Sequence, residues 1–140
     1  MGIVQTLSAI ERRPGYDKIN NPQRLSVGEL LPIGISWISG GAVKTIMNSA
    51  GIDGIALRDL SGVAIIEAPY DHASNAGYIA NADGSIRSRI TVANDLESVM
   101  FYDVFYFNEI LCFLASTARG DFRVEVDDSS GLVLRLVESR

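Results

Sequence analysis

The chain has 140 residues, 47% of them hydrophobic, with one cysteine, one histidine and a formal net charge of −5. That length suits one domain with enough apolar residues to bury a core, and a lone cysteine excludes an intramolecular disulfide. Residues 61–140 carry twelve Asp/Glu against six Lys/Arg. This acidity repels a phosphate backbone and speaks against nucleic acid as a direct partner; a basic protein or cationic ligand is better matched.

Residues 1–30 read as an N-terminal arm or irregular lead-in. They hold Pro14, Pro22 and the pair Asn20-Asn21, with little apolar periodicity apart from a helical turn expected at Ser26–Leu31 ("SVGELL"). The first thirty residues contain no long apolar run of the secretory type. No stretch reaches the roughly 18 apolar residues of a membrane helix. A cytoplasmic location with no membrane association is expected.

Residues 31–140 read as a single antiparallel β domain. "IGISWIS" and "AVKTIM" flank Gly40-Gly41, a dipeptide suited to a tight hairpin because both residues tolerate positive φ. "SGGAVKT" looks like a phosphate-binding loop, but Val43 rather than glycine precedes Lys44, so the turn reading holds. "GIALRDL" and "GVAIIEA" flank Ser61-Gly62, and "GYIAN" and "SIRSRITV" are joined through Asp83-Gly84. Aligned on Gly84 as a calcium loop, this last stretch would place Ile79 and Ile90 at the two strongest ligand positions, which excludes a metal site there. Strand alternation from that turn sends Arg87 and Arg89 to one face and Ile86, Ser88 and Ile90 to the other.

A helix is expected over 94–100 ("NDLESVM"), capped by Asn94 or Asp95. "VMFYDVFYF" and "ILCFLAST" then meet at Asn108-Glu109. Alternation places Phe101, Asp103, Phe105 and Phe107 on one face and Tyr102, Val104 and Tyr106 on the other, both apolar, as in a central strand packed on both sides. Alternatively the tyrosine face is an exposed contact platform anchored by Tyr102 and Tyr106. In the last hairpin Leu132, Leu134 and Leu136 line up as an apolar row, and Arg135 is set to pair with Glu125 across the ladder. The fold class is therefore all-β with one or two short helices, an antiparallel hairpin meander forming a sandwich or open barrel.

Catalytic apparatus is thin. His72 lies in "PYDHASNAGY" without a partner motif, and Cys112 lies in the apolar run "ILCFLA", where a buried inert thiol is expected. One histidine and one cysteine do not make an ordinary zinc site; no metal, cofactor or enzymatic activity is expected. Asp103, set among phenylalanines, needs a partner if buried. A pocket near Asp103 or His72 would mark the alternative, a small-molecule-binding barrel or sandwich to which enzymatic activity stays open.

Residues 62–90, with the Asn75-Ala76 pair and the Asn81–Ser85 turn, followed by "FYDVFYFNEILCFLAST" and "DFRVEVDDSSGLVLRLVESR", resemble small acidic β-rich bacterial proteins of the toxin-immunity type. Such proteins stand beside toxins of contact-dependent growth inhibition or polymorphic toxin systems. The resemblance implies a binding protein that neutralises a cognate, basic toxin by direct association and occlusion. On that reading the acidic rim would be Asp71, Glu125, Asp127 and Asp128, with Tyr102 and Tyr106 as anchors.

Overall fold

The computed structural model describes residues 2–92 and 97–139. Its strands are β1 (Gln5–Ile10), β2 (Gly34–Ser39), β3 (Ala42–Met47), β4 (Ile52–Ala56), β5 (Gly62–Glu67), β6 (Ala76–Asn81), β7 (Ile86–Arg89), β8 (Met100–Phe107), β9 (Ile110–Thr117), β10 (Gly120–Val126) and β11 (Val133–Glu138), with one short helix, α1 (Val27–Leu30). They form three open antiparallel sheets in the orders β1-β2-β3, β4-β5-β6-β7 and β11-β10-β9-β8. The all-β sandwich read from the sequence is present, with three layers. None of the described helices is long and apolar enough to cross a membrane.

The middle sheet carries the architecture. On β5, Val63 and Ile65 join Trp37, Ile35 and Tyr78 in one core, while Ala64 and Ile66 join Phe113, Leu111 and Val124 in the other. Val63 to Ile66 have no exposure on either face, which is why "GVAIIE" is continuously apolar. Trp37, also fully buried, donates its indole N–H to the Ala82 carbonyl at 2.8 Å.

Each anticipated hairpin forms. Gly40 and Gly41 both adopt positive φ between β2 and β3, whose ladder is regular from Ser39↔Ala42 to Gly34↔Met47. Asp83 accepts from the Ser85 backbone at 2.9 Å and hydroxyl at 2.6 Å, closing the β6–β7 turn. Among the described residues no His, Cys, Asp and Glu cluster is arranged for a metal ion.

Within residues 1–30, the turn at Ser26 forms with a reciprocal capping box between Ser26 and Glu29. Residues 5–10 form β1 along the edge of β2, broken by a register shift between Gln5 and Ser8. The helix expected at 94–100 has its N-cap and first residues, 94–96, outside the described residues. Its remainder is not helical: Ser98 has φ +56° and Met100 already begins β8.

Three β-bulges correct the alternation read from the sequence. In β8, Phe101 faces Ala115 but Asp103 faces Leu114, leaving Tyr102 as the extra residue. Phe101 and Val104 therefore both reach the core, and β8 is an edge strand rather than a central one. In β7 the pairing jumps from Ser88 to Ile86. Arg87 turns toward Ser61 and Asp128 while Arg89 lies over the Tyr78 ring, so the two arginines do not share a face. In β11 the shift next to Val133 leaves Leu134 59% exposed and packs Val133 beside Leu136, breaking the expected leucine row. A bulge inverts every side chain beyond it, and no residue type announces one.

Candidate functional site

The hairpin turns between β4 and β5, β6 and β7, β8 and β9, and β10 and β11 are tied together at one end of the stack. Arg87 is the tie. Its Nε donates to Asn81 Oδ1 at 2.7 Å, Nη2 to the Ser61 carbonyl and hydroxyl at 3.1 and 3.0 Å, and Nη1 to the Asp128 carbonyl at 3.0 Å. Three turns thus share one planar guanidinium, whose rigid fork suits several fixed acceptors.

Tyr106 makes a second link. Its hydroxyl donates to Asp128 Oδ2 at 2.7 Å and accepts from the Arg58 backbone N–H at 3.1 Å. The Arg58 guanidinium lies 5.6 Å from the Tyr106 ring centroid and bonds Glu109 Oε1 at 3.1 Å. Burial pushes the Tyr106 hydroxyl up to about 12, and the Asp128 carboxylate adds to the rise.

Between the β8–β9 and β10–β11 turns lies a groove of about 310 Å³. Leu111 and Val126, opposite each other in the ladder and almost fully buried in the core, lie beneath it. Ile110 and the bulge residue Leu134 extend the apolar lining, and Glu109, Asp127 and Asp128 form the rim. Asp127 Oδ1 accepts from the Ser129 backbone at 3.0 Å, which shapes the β10–β11 turn. Gly131, at φ +78°, lets that turn lie against β7, because a Cβ there would sit 2.3 Å from Ser88.

The residues singled out from the sequence separate into distinct places. Asp127 and Asp128 come together at the groove, and Tyr106, packed against the core, reaches it only through its hydrogen bond to Asp128. Tyr102 lies further back along β8, its hydroxyl donating to Asp121 at 2.9 Å and raised to about 12 by burial and that carboxylate. Asp71 lies in the β5–β6 loop, accepting from the Ala73 backbone at 3.0 Å. Glu125 sits on the outer face of β10, only 3% exposed. Arg135 Nε approaches it at 2.6 Å and Arg123 Nη2 at 3.1 Å, the pairing expected across the ladder. The hydrogen bond from Arg135 and the nearby Arg123 hold its carboxyl below the usual glutamate range.

His72 is exposed in the β5–β6 loop. Asp103 is half-buried on β8 and accepts from its neighbour's backbone N–H at 2.9 Å. Neither lines this groove or the second cleft, of about 430 Å³, bordered by Gly2, Asn81, Asp83 and Arg87. Cys112 is fully buried, and burial pushes its thiol up.

Sequence reasoning missed Glu109, Arg58 and Leu134 as parts of one site. One local signal was present. Asn108 and Glu109 both adopt positive φ, +49° and +65°, the turn type in which glycine is favoured at the second position. A glutamate there is an anomaly readable from the dipeptide alone.

No family model and no curated protein matches the chain. Among solved structures, the chain is similar to one chain of the structure of Tne2 in complex with Tni2, with 19% identity and a TM-score of 0.77 over 99% of this chain and 100% of that chain. The two share a fold over their whole length.

Proposed function

We propose that this chain is an immunity-type binding protein that neutralises a cognate basic toxin by direct association and occlusion, acting in the cytoplasm and without chemistry of its own. The observation that carries the reading is the whole-length fold likeness to one chain of the Tne2–Tni2 complex, a structure in which this fold stands in a two-protein assembly. It agrees with the resemblance carried by about residues 55–140. The acidic turn end, where Glu109, Asp127 and Asp128 rim the groove and Tyr106 holds Asp128 from behind, is the surface that such a partner would meet. Acidic surfaces of this kind steer a basic protein into encounter and fix its register.

Co-expression with the product of the adjacent reading frame tests the reading. The chain should restore growth to cells producing that protein, and light scattering on the purified pair should give a complex of fixed stoichiometry. A folded, soluble chain that neither restores growth nor associates overturns it.

A further inference from the structure

We propose that the groove between the β8–β9 and β10–β11 turns is the subsite for a single cationic side chain, a lysine or arginine projecting from the protein partner. The inference rests on the binding role proposed above and assigns its anchor point. Leu134, 59% exposed, and the half-buried Ile110 give the groove an apolar wall above the core residues Leu111 and Val126. Such a surface suits the methylene stem of a long basic residue, which buries its carbons and keeps its charge at the rim. Glu109, Asp127 and Asp128 stand where that charge would arrive.

Each rim carboxylate uses one oxygen inside the protein: Glu109 Oε1 on Arg58, Asp127 Oδ1 on the Ser129 backbone, Asp128 Oδ2 on Tyr106. A carboxylate accepts at both oxygens, so each keeps acceptor capacity; the turn backbone places Glu109 at the rim, and internal hydrogen bonds hold Asp127 and Asp128. The volume, about 310 Å³, lies at the low end of ligand pockets, ~300–1,000 Å³, and fits a side chain better than a bulky cofactor. An anion is disfavoured by three carboxylates, and a purely apolar anchor would leave them facing carbon.

The probe is a blocked tetra-arginine peptide, with a tetra-citrulline peptide of the same shape as its neutral control, titrated into the 15N-labelled chain. The expected result is saturable shifts of the amides of 109–111 and 126–134 with arginine, none with citrulline, and weakening as salt is raised. Asp127→Asn with Asp128→Asn should weaken the peptide at least ~10-fold while leaving the rest of the spectrum in place. Asp53→Asn with Asp121→Asn, which removes equal charge elsewhere, should change it less than ~2-fold. Absent shifts, shifts centred on other surfaces, or equal weakening by both double variants would overturn the proposal. A chain that rescues growth yet gives such a result loses only the groove assignment. A chain that fails to rescue loses the immunity reading, and the titration still judges the groove.

Discussion

The side-chain amide of Asn75 pairs with the backbone of Phe101 in both directions. Asn75 Nδ2 donates to the Phe101 carbonyl at 2.7 Å, and Asn75 Oδ1 accepts from the Phe101 N–H at 2.8 Å. An amide side chain thus stands in for a neighbouring strand at the outer edge of β8, next to the bulge at Tyr102. Edge strands left open recruit other chains, and side-chain pairing together with a bulge blunts that tendency. The same contact seats the Phe101 ring over Gly77, where a Cβ would lie 2.9 Å from it.

Asn75→Ala should therefore lower stability by about 2–3 kcal/mol, since it strands a backbone donor and acceptor in a half-buried position. Asn75→Asp keeps the acceptor but sets a carboxylate oxygen against the carbonyls of Glu67, Ala68 and Phe101, and should cost at least as much at neutral pH. Denaturant unfolding checks both, and aggregation on heating should rise in the alanine variant. Equal stability of wild type and Asn75→Ala would show that water replaces the amide without loss.

Arg87 makes a similar argument for the turn end. Arg87→Lys preserves the charge but supplies one ammonium where Asn81, Ser61 and Asp128 need a spread fork. The lysine variant should lose about 1–2 kcal/mol, comparable with loss of one or two hydrogen bonds to a charged group. Hydrogen exchange should accelerate at 58–62, 81–85 and 127–131 together. Acceleration at the β7 turn alone would mean that the three turns are not coupled through this residue.

Much of this framework was legible in the sequence, because hairpin signals are local. Gly40-Gly41 and Asp83-Gly84 mark their turns through backbone freedom and side-chain capping, and Asn108-Glu109 marks its turn as a polar break between two apolar runs; none of these needs the rest of the fold. The pairing of Glu125 with Arg135 was readable from alternation. What escaped were the bulges at Tyr102, Arg87 and Leu134, which depend on how one sheet twists over another. The site was hidden for the same reason: Leu134 enters the groove only because a bulge turns it outward, and Arg58 reaches Glu109 across two sheets.

Glu125 predicts a pH dependence. Its carboxyl is held below the ordinary 4.5, first by the hydrogen bond from Arg135. Its ionisation therefore favours the folded state, an effect complete above the unfolded-state value and lost as the pH falls through the folded one. Glu125→Gln should be less stable at neutral pH by about 1–2 kcal/mol, a charged hydrogen bond's worth. Below about pH 4.5 the melting temperatures of the two proteins should converge. Parallel curves down to pH 2 would assign the acid sensitivity to other carboxylates.

Glu109 offers the sharpest separation of folding from binding. It is held at φ +65° at the second position of a tight hairpin, a conformation costing a side-chain-bearing residue ~1–2 kcal/mol. Its ion pair with Arg58 joins groups 82% and 51% exposed and returns at most a few tenths of a kcal/mol. On fold stability alone, glycine is the better residue, and Glu109→Gly should raise stability by about 1 kcal/mol, or ~3 °C in melting temperature. The strain is then the cost of holding a carboxylate at the groove rim, as expected where local strain serves function. The same variant should bind the tetra-arginine peptide several-fold more weakly than wild type, whereas Asn108→Gly, relaxing the same turn with the rim intact, should not. If Glu109→Gly destabilises the chain, the turn depends on the Arg58 contact; if it stabilises without weakening the peptide, Glu109 has no part in the groove.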